Sequence, residues 1–162
     1  MQSRLKNHHN YGENYQLHLL EQYKMYVEMA DRVSARRQQV GSFYISILSG
    51  LLGLLAINNK ELFSGSQNIV LLSISILGIT LCILWNANIN SYKQLNSLKF
   101  KVIHEMEANL PFACYEREWE ILKESKSNVR YFRLTAIEKY VPFVLCIPYT
   151  IILIQALISL FK

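Results

Sequence analysis

A chain of 162 residues with 51% hydrophobic residues and a formal net charge of +5 has the length of one soluble domain. Its apolar residues instead gather in three blocks, 41–57, 69–85 and 141–161, none of which holds an Asp, Glu, Lys or Arg. Uncharged runs of about 17–25 residues match a bilayer-crossing helix, and three of them leave too little amphipathic chain to shield them from water, which excludes a soluble globular domain.

Taken in chain order, residues 1–14 are polar, with His8, His9, Asn10 and Gly12, and are expected to fray. From Tyr15 a helical pattern begins, in which Leu20, Tyr23, Val27, Ala30 and Val33 recur at three- and four-residue spacing on one face. Glu28 and Arg32 can pair four residues apart on the other side. This helix is expected to run close to the first span and to pack its stripe on another cytoplasmic helix. Forty mostly polar residues precede the first block, unlike the short basic lead of a cleaved signal peptide.

The first span carries Ser42, Ser46, Ser49, Gly50 and Gly53 on one face, and the second adds Ser75, Gly78 and Cys82. Lipid offers helices no hydrophobic reason to associate, so small residues that permit close backbone approach mark helix contacts. The polar stretch 58–68, with Gly65, predicts a tight turn and a helical hairpin. Trp85 is placed as an interface anchor, and 86–109 reads as a long cytoplasmic helix with Leu95, Leu98, Val102 and Met106 in phase. Pro111 stops it. Amphipathic pieces follow at about 116–126, with Trp119 and Leu122, and about 129–139. The last span tolerates Pro142 near its start, is expected to kink at Pro148, and holds Thr150, Gln155 and Ser159.

The fold class expected is all-α: a multi-pass membrane protein with three transmembrane helices and a helical cytoplasmic portion. Its parts are a cytoplasmic N-terminal helix (1–40), a transmembrane hairpin (41–85), a cytoplasmic helical region (86–139) and a third transmembrane helix (140–162). Fifteen of the seventeen basic residues lie in 1–40 and 86–139, whereas the 58–68 loop has Lys60 balanced by Glu61. Positive charge stays on the cytoplasmic side, so the N-terminus is read as cytoplasmic and the C-terminus as outside. The segment 86–139 mixes nine basic with seven acidic residues, a solvated face rather than a basic stripe, and direct nucleic-acid binding is not expected.

Little in the chain suggests catalysis. His104-Glu105 lacks the second His of a zinc-protease motif, and with no CxxC or Cys/His cluster neither a metal nor a cofactor is expected. Arg4 and His9 fit the R-x4-H spacing of a class of helical ribonucleases, but one such match in a polar tail arises by chance, and the chain is not read as an enzyme. The small and polar positions Ser42, Ser46, Ser49, Gly50, Gly53 and Gln155 have two readings: packing within and between subunits, or the wall of a water-filled pore built from several copies. No intramembrane charge points to a proton relay or ion-coupled carrier.

Residues 23–37, YKMYVEMADRVSARR, and 91–119, SYKQLNSLKFKVIHEMEANLPFACYEREW, together resemble the bacterial RipA family of octameric inner-membrane proteins. That family includes the membrane accessory protein of type VI-B CRISPR systems, which works beside a Cas13b RNA-guided nuclease. The resemblance runs from Tyr23 to Trp119; the third span matches only in hydrophobic character. It implies an eight-fold ring in the inner membrane with a central pore, and loss of membrane integrity or potential after the nuclease recognises phage RNA. A divergent R-x4–6-H nuclease motif is also suspected in the family, and only Arg4 with His9 fits it here. The competing expectations are an oligomeric defence pore, a non-conducting membrane scaffold, and a membrane-tethered HEPN-like ribonuclease.

Overall fold

A computed structural model of the chain describes residues 11–56, 67–124 and 137–161. Arg4 and His9, most of the predicted 58–68 turn and most of the predicted 129–139 helix lie outside these residues. Among the described residues there are four helices, α1 (Tyr15–Ala56), α2 (Gln67–Glu107), α3 (Cys114–Glu124) and α4 (Val141–Leu160), and no strand. Helices α1, α2 and α4 are each long and apolar enough to cross a membrane. The chain is an all-α multi-pass membrane protein.

The N-terminal helix and the first span are one uninterrupted helix, as are the second span and the helix after it. Gly41 sits inside α1 and does not break it. A single interior Gly costs about 1 kcal/mol relative to Ala, less than the loss of several backbone hydrogen bonds where no water can replace them. The entry to α1 is a turn at Gly12, whose φ of 97° suits a residue without Cβ, and Tyr15 N–H donates to Gly12 C=O at 3.2 Å. The exit of α2 tightens, with Asn109 N–H bonded to Met106 C=O and Leu110 N–H to Glu107 C=O, one residue before Pro111.

The chain divides into two compact units, Met1–Ser34 with Gln94–Arg130, and Ala35–Lys93 with Tyr131–Lys162. The second unit is an up-down-up bundle of membrane spans. Tyr44 of α1 meets both Trp85 and Asn88 of α2, and Ser159 near the end of α4 meets Asn68 near the start of α2. Leu48 of α1 meets Tyr149 of α4, and Arg37 meets Glu138 with the same offset along the chain. Helices α1 and α4 therefore run parallel, and α2 runs against both. Helix α2 contributes most of the buried positions of this unit, Ser75, Gly78, Cys82, Trp85 and Ile89.

Along α2 the buried positions Ser75, Gly78, Cys82, Trp85 and Ile89 alternate by three and four, as do Lys99, Ile103 and Met106. An average step of 3.5 residues keeps one seam facing a neighbouring helix. In the first unit this phase differs from the expected one. Leu95, Leu98 and Val102 are exposed, while Lys99 and Ile103 are buried. On α1, Leu19 is 4% exposed and Leu20 is 38% exposed, so the inward line starts one residue earlier than the sequence suggested.

Candidate functional site

Two places carry chemistry, one in each unit. In the membrane unit, the centre is Tyr149, fully buried on α4. Its hydroxyl donates to the backbone C=O of Leu48 at 2.5 Å, and its ring packs against Gly78, where a Cβ would overlap ring carbons. Glycine is required there because only a bare backbone leaves space for the ring. Leu48, Cys82, Trp85 and Ile89 complete the core. Toward the end of the bundle, Tyr44 stacks on Trp85 with centroids 5.6 Å apart and planes 6° apart, and Asn88 Nδ2 donates to Tyr44 Oη at 3.0 Å.

Beside this stack opens a cleft of about 180 Å³, lined by Arg37, Gly41, Ser42, Ile45, Trp85, Ile89 and Glu138. Arg37 Nε lies 3.5 Å from Glu138 Oε2, and the Arg37 side chain is well covered. The ion pair joins the segment just before α4 to α1, close to the uncharged part of both helices, where charge is still tolerated cheaply.

The polar side chains within the spans are largely self-satisfied. Ser73, Thr80 and Thr150 each donate to the C=O four residues back, at 2.8, 2.8 and 2.9 Å, and Ser75 donates to Leu72 C=O at 2.9 Å. Such bonds remove the cost of a bare hydroxyl in hydrocarbon. The six positions singled out in the sequence, Ser42, Ser46, Ser49, Gly50, Gly53 and Gln155, are all exposed. On α1 they lie opposite the inward line Tyr44, Leu48, Leu51 and Leu52, and nothing lies within 4 Å of a Cβ built at Gly50 or Gly53. The chain's own bundle therefore uses Ser75, Gly78 and Cys82 for close packing and leaves the small stripe of the first span to other contacts.

In the other unit, the centre is Glu107, which is 1% exposed at the end of α2. Its Oε1 accepts from Tyr23 Oη of α1 at 2.9 Å and from the backbone N–H of Tyr115 in the first turn of α3 at 3.1 Å. One carboxylate thus ties three helices together and occupies the position where a helix N-terminus favours negative charge. Burial and the Glu107 bond hold the Tyr23 phenol well above its ordinary range. Burial likewise raises that of Tyr115, whose ring meets Phe100 edge-on at 5.5 Å. Lys99, eight residues before Glu107 on α2, is buried and sits 4.8 Å from the Tyr26 ring centroid, a cation–π contact. Asn96 Oδ1, His104 Nε2 and Glu107 Oε2 are buried without hydrogen-bond partners among the described residues.

The sequence reading passed over Tyr149, Glu107, Lys99 and the Arg37–Glu138 pair. The usable signal was the phase of Ser75, Gly78 and Cys82: continued by threes and fours, it arrives at Lys99 and Ile103 rather than at Leu98 and Val102.

The octameric membrane protein family, 8xMP, matches residues 20–158. The chain belongs to that family. The match reaches beyond the resemblance in 23–119 and takes in most of α4. The chain has no match among curated proteins or among solved structures.

Proposed function

We propose that the chain assembles as a homo-octamer in a bacterial inner membrane and forms a pore that perturbs the membrane. In this reading it is a non-enzymatic accessory effector beside a Cas13b nuclease, acting after phage RNA has been recognised. Family membership supports the assembly, and the stretches 23–37 and 91–119 support the link to Cas13b. The basic residues of 1–40 and 86–139 support a cytoplasmic N-terminus and an outside C-terminus.

The observation that carries the pore reading is the placement of Ser42, Ser46, Ser49, Gly50, Gly53 and Gln155 on exposed faces of the spans. A span facing only lipid has no use for an outward amide such as Gln155, whose burial in hydrocarbon without a partner costs several kcal/mol by the usual estimate of roughly 2–7. Three helices packed around Tyr149 do not enclose a lumen, so water would pass between copies rather than through one. With no charge in the spans, such a pore would be weakly selective and gated by an apolar constriction. Whatever triggers it must bind the open state better than the closed one.

The self-satisfied hydroxyls of Ser73, Thr80 and Thr150 favour a second reading, a non-conducting membrane scaffold with dry helix contacts. Membrane potential separates the two. A voltage-sensitive dye is followed in bacteria carrying the chain, a Cas13b-guide system and a matching phage. Depolarisation only with all three present is expected of the pore. Steady potential, with the chain in the membrane and the nuclease active, supports the scaffold.

A further inference from the structure

The unit built from α1, α2 and α3 has one covered side and one open side. Buried positions on α1 and α2 define the seam between them, and Tyr23 facing Glu107 and Tyr26 facing Lys99 show that the two helices are paired there in opposite directions. At about 100° per residue, Phe100, Glu107 and Asp31 are displaced from that seam in one rotational sense. All three act on Tyr115 of α3, through a ring contact, a hydrogen bond and charge. Helix α3 therefore covers that side.

Met25 and Met29 on α1, and Leu95, Leu98 and Val102 on α2, are displaced in the opposite sense. In an antiparallel pair, equal rotational offsets fall on the same side, so these five residues share one face. Leu98 is 59% exposed and Met25 is 56% exposed, and no described helix of the unit lies over them. The segment is outside the uncharged spans, where such a face would stand in water.

The family is octameric, which supplies the occupant. Copies oriented by one positive-inside rule all point the same way, and two-fold axes in the membrane plane would turn half of them over. Eight equivalent copies then close only as a ring, and a ring needs two different faces on each copy. We propose that the open face of Met25, Met29, Leu95, Leu98 and Val102 receives the neighbouring copy of this chain, which presents its α3 side around Ile121, an apolar α3 residue that is 51% exposed. Methionines suit such a face, because flexible thioethers adapt to a partner's contour. The inference rests on the octameric reading and adds the surface that closes it.

The test is cross-linking of the full chain in bacterial membranes, in a Cys114→Ser background that removes the exposed thiol of α3. Leu98→Cys and Ile121→Cys are introduced singly and together, and a short bismaleimide is added. The double variant is expected to give a ladder of linked copies well beyond the dimer, with each single variant at background. Leu98→Glu is expected to abolish the octameric native mass while helix content stays unchanged, since Leu98 is not part of the unit's own core. A dimer from Leu98→Cys alone overturns the proposal, because the contact would then be face to face. No ladder from the double variant, with an octameric native mass retained, also overturns it and places another occupant on the face. A monomeric native mass for the unsubstituted chain would instead overturn the octameric reading itself.

Discussion

The two units solve the same packing problem with opposite materials. In the membrane unit, close approach comes from the absence of a side chain at Gly78 and from an aromatic ring, with the hydroxyls of Ser73, Ser75, Thr80 and Thr150 turned back onto their own helices. In the other unit, Lys99 lies in the seam between α1 and α2 and Glu107 at its α3 side, both buried, and the helices are joined through the carboxylate. The environment explains the contrast. Lipid charges heavily for an ion and rewards only shape, whereas a water-bathed helix pair can bury an ion once hydrogen bonds replace its hydration.

The largest way to break this contrast is on the membrane side. Gly78→Leu is expected to disrupt the bundle, at a cost of about 3 kcal/mol or more, because overpacking here meets a ring that is itself fixed by a hydrogen bond. Loss of folded protein in detergent chromatography checks it. Gly50→Leu and Gly53→Leu serve as the matched control, with open space around both positions. These are expected to leave the single chain folded and to lower the oligomer mass, because the exposed stripe would be filled.

Glu107→Ala comes next. It strips the acceptor from Tyr23 Oη and from the Tyr115 N–H, and is expected to cost roughly 2–3 kcal/mol, with α3 losing hydrogen-exchange protection first. Glu107→Gln keeps an acceptor and is expected to cost less. Tyr149→Phe is smaller, at about 0.6–1.7 kcal/mol, the range of a single hydrogen bond between membrane helices, read as a shift in unfolding midpoint.

The smallest expected effect is a slope with pH. The Tyr23 phenol is raised above its ordinary value of 10.0 in the folded chain. Above that pH the unfolded chain loses the proton while the folded chain keeps it, so the stability is present below about pH 10 and declines as pH rises beyond it. Denaturant titrations across that interval are expected to show the decline, and Tyr23→Phe is expected to flatten it.

Particular residues show why some of this was legible beforehand. The three uncharged blocks announced α1, α2 and α4 as spans, because no other environment accepts such runs. Pro111 marked the end of α2 to within a few residues, since it cannot donate to a continuing helix. Gly78 was picked out as a small contact residue, and it is one. The small stripe of the first span was equally visible, yet its letters gave no way to tell that it turns away from the chain's own helices.

Phase was the harder matter. Leu95, Leu98, Val102 and Met106 follow one helical spacing, yet of these Met106 alone is buried, because spacing counts hydrophobicity and a chain that assembles with copies of itself has apolar faces beyond its core. Lys99 and Glu107 looked like solvated charges, since long charged residues are rarely buried unless paired or bonded. Local composition thus determined the number of spans, their lengths, their helical state and the end of α2, because each depends on backbone hydrogen bonding and solvent within a few turns. Which side of each helix faces inward, and the meeting of Tyr149 with Gly78 and of Glu107 with Tyr23 and Tyr115, depend on distant segments. Only the tertiary structure decided those, because a helix face has no inside until another helix lies against it.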